Sequence, residues 1–259
     1  MSLLRESVRR PPGVETFTGG CFRGRVTVLH PPPYVTNFLA AWPRATVRAA
    51  RRAFPAPGHL HSPAVPARIG LFGGTFDPPH VGHLVTAVNV RHALRLDDVI
   101  LMVAHVPWQK AGSRQISDAE GRFAMVRAAV GDVEGLSAGR LELDREGPSY
   151  TADTLAELSA QHPGAELFTI VGDDAAARFT TWERYEEVAA ASTLVVVDRP
   201  GAPVELPSDF EWVHVEVPHL DVSSTDLRAR FVDGRPLDYL LTEPVLDVIR
   251  DRNLYGTAA

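Results

Sequence analysis

The chain has 259 residues, 45% of them hydrophobic and 22% charged, with a net charge of −6. That balance is ordinary for a soluble globular protein of one large domain or two small ones. No apolar run approaches the roughly 18 residues a membrane-spanning helix needs, and the single cysteine, Cys21, excludes an intrachain disulfide and fits a reducing cytoplasm.

Residues 1–66 hold nine Arg and two Glu, net +7, and ten of the 21 prolines, including Pro31-Pro32-Pro33. No helical or strand period is sustained there. The composition predicts a disordered tail, or an extension from an upstream start site, ahead of one domain at 67–259. Arg44, Arg48, Arg51 and Arg52 could instead make the tail a nucleic-acid or membrane-surface binder. An Arg-rich, acid-poor N-terminus is also a transit-peptide trait, but the prolines work against the amphipathic helix such a peptide needs. The remaining residues hold 17 basic and 30 acidic groups, net −13. An anionic substrate must therefore be drawn in by local cations and helix dipoles, not by the overall field.

The pattern changes at Arg68. Ile69 to Phe72 reads as a buried strand, Gly73-Gly74-Thr75-Phe76-Asp77-Pro78-Pro79 as a tight loop, and Val81 to Leu94 as a helix. A glycine loop between a strand and a helix N-terminus lets backbone N–H groups approach a phosphate. His80 and His83 are three apart in the first turn, so they share a face and can converge on one anion. A zinc pair would need a third ligand, and no Cys or His-Glu-x-x-His pattern is near. Neither GxGxxG nor a Walker A loop is present.

Val99 to Ala104 reads as a second buried strand. The loop after it carries Lys110, the only lysine in the chain, on the side where ligands bind. We expect a mobile point charge on phosphate there rather than one solvated surface cation. Ser117 to Val130 reads as a helix, with Ser117 and Glu120 spaced as a capping box. Leu141 to Leu143 reads as a short strand, Thr151 to Gln161 as a helix entered through the Pro148-Ser149-Tyr150 turn, and Leu167 to Val171 as a strand. That strand ends in Gly172-Asp173-Asp174, a suitable place to meet a ribose hydroxyl. Trp182 to Ala190 reads as a helix; Trp182 itself is either core or site. Thr193 to Val197 and Trp212 to Val217 read as the last strands, Ser224 to Phe231 and Pro244 to Arg252 as closing helices, followed by Leu254-Tyr255. In Val222-Ser223-Ser224-Thr225-Asp226-Leu227-Arg228, Ser224 or Thr225 can cap a helix that presents Arg228 one turn in, a second anion-ready terminus. Apolar strands alternating with helices predict a doubly wound (Rossmann-like) α/β fold, a parallel sheet with helices on both faces and its site at the carboxyl ends of the strands.

The stretch Gly73 to His83 resembles the signature of the HxGH nucleotidylyltransferase superfamily, and Val222 to Arg228 resembles its Ile-Ser-Ser-Thr-x-Ile-Arg motif, with Val222 and Leu227 in place of the isoleucines. Adding Pro148 to Thr154, Gly172-Asp173-Asp174 with Trp182, and the Pro107-Trp108-Gln109-Lys110 loop, the chain from about Arg68 to Tyr255 is similar to the bacterial nicotinate-nucleotide adenylyltransferases in their actinobacterial form. The tail has no counterpart in that pattern.

The resemblance implies an enzyme in which the 5′-phosphate of nicotinate mononucleotide attacks the α-phosphorus of ATP in line and pyrophosphate leaves. The nucleophile is already anionic, so the protein positions and neutralises and needs no general base. His80 and His83 would contact the α- and β-phosphates. Lys110 and Arg228, with Ser223, Ser224 and Thr225, would hold the β- and γ-phosphates. Gly73, Gly74, Thr75, Phe76 and Gly172 would line the ATP site, and Asp174 would meet ribose. Thr75, Phe76, Lys110, Tyr150, Thr151 and Trp182 would line the pyridine nucleotide pocket. There Trp182 would stack on the ring, and N–H groups near Trp182 and Tyr150-Thr151 would bind the ring carboxylate. Mg²⁺ would arrive on ATP, with no metal site on the protein. The expected partners are ATP and nicotinate mononucleotide, with no membrane and no nucleic acid; homo-oligomer formation stays open, and the location is cytoplasmic. The rivals are another adenylyltransferase of the superfamily, acting on phosphopantetheine or nicotinamide mononucleotide, and a non-catalytic nucleotide-binding module.

Overall fold

The first strand, β1 (Arg68–Gly74), has neighbours on both edges and helices over both faces, so its alternate side chains enter two different cores. The computed structural model describes residues 66–106, 116–145, 147–198 and 204–256, all within the unit His61–Ala259. After β1 come α1 (Val81–Leu94), β2 (Asp98–Val103), α2 (Ala119–Val130), β3 (Leu136–Gly139), α3 (Leu141–Arg145), α4 (Thr151–Gln161) and β4 (Glu166–Gly172). Then follow α5 (Asp173–Ala176), α6 (Tyr185–Ala191), β5 (Thr193–Asp198), β6 (Trp212–Glu216), α7 (Ser224–Asp233) and α8 (Glu243–Asp251). The six strands run in the order β3-β2-β1-β4-β5-β6, and every pairing is parallel, with Leu71 of β1 beside Ile100 of β2 and Thr169 of β4. The doubly wound expectation therefore holds. Winding proceeds outward from β1 to β3, then restarts at β4 on the other side of β1. That reversal opens a crevice at the carboxyl ends of β1 and β4, where such sheets take their ligands.

One face is covered by α1 and α2. Ala87, Val90, Val126 and Val130 pack there with Val99, Leu101, Phe168, Ile170 and Val195. The other is covered by α4 and α6, whose Leu155, Leu158 and Val188 meet Ile69, Leu71, Met102 and Leu167. Gly70 is glycine because a Cβ would lie 2.8 Å from Ile170 Cδ1 and 2.9 Å from Leu96 Cδ1. A third cluster joins Leu227, Leu241, Val245 and Ile249 of the C-terminal segment to Met125 and Ala129 of α2. It brings α7 to the same end of the sheet as the loop after β1.

Four local readings are corrected. Leu141 to Leu143 is helical, not a strand: the amides of Leu143 and Asp144 both donate to the Arg140 carbonyl, and Arg140 Nε pairs with Asp144 Oδ1 at 2.8 Å across one turn. The strand is the preceding Leu-Ser-Ala-Gly, where a Cβ on Gly139 would lie 2.6 Å from Ile100 and Met102 side-chain atoms of β2. The cap of α2 is Asp118, whose carboxyl accepts from Gly121 N–H at 2.7 Å, not Ser117. Ser223 caps α7, accepting from Asp226 N–H at 3.2 Å, which leaves the Ser224 hydroxyl for another partner. Helix α6 starts at Tyr185, after Arg184 in the left-handed region (φ 54°); Trp182 closes a 3-10 turn over Phe179–Thr181.

Candidate active site

The loop after β1 is shaped by its own side chains. Phe76 is buried in a left-handed conformation (φ 49°), with its ring folded back on the strand end, and a Cβ on Gly74 would lie 2.8 Å from that ring. Gly74 therefore makes room for Phe76. A Cβ on Gly73, by contrast, would meet nothing within 4 Å, so open space lies above the strand there. Phe76 in turn meets the His83 ring edge-on, centroids 5.0 Å apart at 74°.

His80 is the N-cap of α1, in extended backbone, and is buried. Its ring lies over the first turn. A Cβ on Gly82 would sit 3.0 Å from His80 Nδ1 and 3.1 Å from Cε1, so the glycine between the two histidines is what admits that ring. The two imidazoles lie together, centroids 3.8 Å apart at 32°. His83 Nδ1 accepts from the His80 backbone N–H at 3.1 Å. An Nδ1 that accepts leaves the ring N–H at Nε2, pointed away from the backbone.

The start of α7 is bonded to this loop. Ser224 Oγ donates to the Pro78 carbonyl at 2.9 Å, and Arg228 Nη1 donates to the Asp77 carbonyl at 2.7 Å. Arg228 Nη2 also donates to Thr225 Oγ1 at 3.1 Å. The Val81 N–H donates to the Leu240 carbonyl at 3.1 Å. The two motifs, 151 residues apart at Asp77 and Arg228, are thus one structure. Tyr255 Oη donates to Asp77 Oδ1 at 2.6 Å. Burial, and then the bond to Asp77, push the Tyr255 phenol well above its ordinary value, so it remains a donor.

Tyr150 and Thr151 reach the same end of the sheet by another route. Val106, after β2, bridges to Pro148, and His105 N–H donates to Ser149 Oγ at 2.8 Å. Helix α4 then opens at Tyr150 with no side-chain cap. Beneath it, Glu142 is buried and accepts from Thr154 Oγ1 at 2.9 Å. Burial raises its carboxyl above the ordinary range, although the hydroxyls of Ser149 and Thr154 pull the other way. Gly172 ends β4 and Asp174 lies in the first turn of α5. Trp182 is half-buried against Phe179, centroids 5.6 Å apart, and its backbone N–H donates to the Phe179 carbonyl at 2.9 Å. That amide is therefore not among those expected to meet a substrate carboxylate. Lys110 lies outside the described residues.

Sequence reasoning missed Arg122. It is 1% exposed, and its guanidinium donates to the carbonyls of Ser117, Thr75, Ala104 and His105 at 2.6–3.0 Å. One side chain thus ties the loop after β1 to both ends of the segment that includes Lys110. A signal was present: Arg122, Met125, Val126 and Ala129 form one buried helical stripe, and an arginine on such a stripe must find carbonyls or carboxylates inside. Asp77 and Tyr255 were also missed as a pair, and nothing local could have joined residues 178 apart. Among the described residues, no group of three or more His, Cys, Asp or Glu side chains could hold a metal ion, and no helix is long and apolar enough to cross a membrane.

The chain matches the model of the Cytidylyltransferase-like family over residues 71–230. An Exiguobacterium sibiricum protein named "Probable nicotinate-nucleotide adenylyltransferase" is 40% identical over 190 residues, 73% of this chain and 100% of its own length. A Corynebacterium kroppenstedtii protein of the same name is 42% identical, over 73% of this chain and 90% of its own. Among solved structures, the Plasmodium falciparum nicotinic acid mononucleotide adenylyltransferase complexed with APC has a TM-score of 0.60, covering 74% of this chain and 98% of its own at 16% identity. At that identity the likeness is one of fold.

Proposed function

Because the chain belongs to the cytidylyltransferase-like family, and within it to the nicotinate-nucleotide adenylyltransferases, we infer that it transfers AMP from ATP to nicotinate mononucleotide, giving deamido-NAD and pyrophosphate. The observation that carries this is the adjacent His80–His83 pair at the N-terminus of α1, beside the open space over Gly73 and bonded through Asp77 and Pro78 to Arg228 and Ser224. A nucleophile that is already an anion needs no base, so these residues act by position and charge. His83, with its N–H at Nε2, and His80 hold the α- and β-phosphates as charge moves onto the leaving pyrophosphate. Arg228, Ser223, Ser224 and Thr225 hold the β- and γ-phosphates, with Lys110 as a mobile cation. Gly73, Gly74, Thr75, Phe76 and Gly172 line the ATP site, and Asp174 meets its ribose. The metal is Mg²⁺ and comes with ATP as part of the substrate.

Thr75, Phe76, Tyr150, Thr151 and Trp182 form the pyridine nucleotide pocket. The uncapped start of α4 at Tyr150 suits a ring carboxylate, since a carboxylate accepts only and a bond to a charged partner is worth about 1.5–3 kcal/mol. An amide would turn an NH₂ group toward those donors. We place the enzyme in the cytoplasm.

The test is His83→Ala. Losing a donor that strengthens in the transition state should cost about two or more powers of ten in pyrophosphate release, with the circular dichroism spectrum and Tm nearly unchanged. A folded variant with near-normal turnover contradicts the assignment.

A further inference from the structure

The loop that carries the two histidines has an unusual shortage of donors. In Asp77-Pro78-Pro79-His80, two of four residues have no backbone N–H. Such a segment cannot be fixed by a hydrogen-bond ladder of its own. It has to be held by its acceptors, through donors brought from elsewhere in the chain. Three donors arrive. Ser224 takes the Pro78 carbonyl, Arg228 takes the Asp77 carbonyl, and Tyr255 takes the Asp77 side chain at 2.6 Å. Ser224 and Arg228 belong to the motif already assigned to the phosphates. Tyr255 lies outside both motifs, and the substrate roles given above do not include it.

Its ring and its hydroxyl are both engaged. The ring stacks on Phe231 of α7, centroids 5.3 Å apart at 29°. Phe231 is three residues beyond Arg228, on the same side of the helix. The hydroxyl also lies 3.8 Å from Met125 Sδ of α2. Tyr255 thus bridges α2, α7 and the loop, and its hydroxyl reaches a carboxyl group only 1% exposed. A buried carboxyl group beside a polyanion site needs a donor to hold it.

We propose that Tyr255 is a positioning residue of the reaction: by donating to Asp77 it fixes the loop that aims His80 and His83 at the transferring phosphate. The proposal rests on the adenylyltransferase function inferred above. Tyr255→Phe keeps the ring and its stack on Phe231 and removes the hydroxyl, with its bonds to Asp77 and Ser117. At a temperature far below Tm, its kcat should fall by about tenfold or more, the effect of small misplacement in a preorganised site, while both KM values stay within about threefold and Tm moves by only a few degrees. In an Asp77→Ala background, adding Tyr255→Phe should cost nothing further, because residues acting as one unit are not additive.

Amide hydrogen exchange provides a readout that needs no turnover. The His80 and Val81 amides, bonded to His83 Nδ1 and the Leu240 carbonyl, should lose about tenfold or more of their protection in Tyr255→Phe, while Leu71 in the central strand keeps its own. A wild-type kcat in Tyr255→Phe, a second full loss in the Asp77→Ala background, or unchanged protection at His80 and Val81 overturns the proposal. A merely structural tyrosine would lower Tm and leave the kcat of the folded enzyme alone. Should the wild type itself release no pyrophosphate with nicotinate mononucleotide, the function fails, and the exchange measurement alone decides the role of Tyr255.

Discussion

The glycine of His80-Val81-Gly82-His83 is set by a neighbour, not by the ligand. The His80 ring occupies the place a Cβ at Gly82 would take, 3.0–3.1 Å away, and this is how one histidine can cap α1 while lying against the other. Gly74 answers to Phe76 in the same way, and only Gly73 opens onto empty space. The presence of these glycines was legible in the sequence; their separate reasons were not, because each depends on where one ring folds. Glu142 is a second case decided at a single residue. Its folded carboxyl lies above the reference value of 4.5, with burial as the main cause. Over the range upward from that value the native state binds more protons than the unfolded chain, so this group's contribution to stability falls as pH rises. Glu142→Gln keeps the shape and cannot ionise. Denaturant unfolding at pH 5 and pH 7 should show the variant gaining on the wild type at the higher pH. A difference that is constant, or moves the other way, contradicts the burial of a titrating carboxyl there.

At the scale of elements, α1 and α4 were legible to their ends, because the turns Pro78-Pro79 and Pro148-Ser149 sit immediately ahead of them. The strand β3 was not. Leu-Ser-Ala-Gly has little strand propensity and forms one because Gly139 lets the chain lie against Ile100 and Met102, while Leu-Glu-Leu next to it imitates a strand by alternation alone. Arg122 shows what an element can hide. It sits on the apolar stripe of α2 and fastens two loops that the sequence gives no means of relating. Arg122→Met should cost about 1–3 kcal/mol or more in urea unfolding, since buried carbonyls at Thr75 and Ala104 lose their donor. A stability within a few tenths of a kcal/mol of the wild type would contradict that role.

Across the whole molecule, a doubly wound parallel sheet followed from continuous apolar strands alternating with helices, whereas its order, β3-β2-β1-β4-β5-β6, came only with the structure. What followed from the motifs alone was that two distant stretches meet. How they meet, by Ser224 and Arg228 on loop carbonyls, belongs to packing: the cluster of Leu227, Val245 and Ile249 on Met125 docks α7 beside α1. Trp182, a candidate for the pyridine ring by resemblance, packs partly with the Phe179 cluster, so part of its surface is committed to the core. We propose that residues 1–66, basic where the rest is acidic, are dispensable for catalysis. A chain starting at Val65 should retain kcat/KM and Tm; loss of solubility or of most turnover would show that the removed residues belong to the domain.

Transfer of AMP to a pyridine mononucleotide bearing a carboxylate is the reaction proposed for the histidine pair and its bracing helix. It is tested most directly by pyrophosphate release from ATP and Mg²⁺ with nicotinate mononucleotide, nicotinamide mononucleotide or phosphopantetheine as acceptor. The predicted result is turnover with nicotinate mononucleotide, with kcat/KM about ten- to a few hundred-fold above the amide, each tenfold corresponding to about 1.4 kcal/mol, and none with phosphopantetheine. Preference for the amide or for phosphopantetheine, or no pyrophosphate with any of the three, would contradict it.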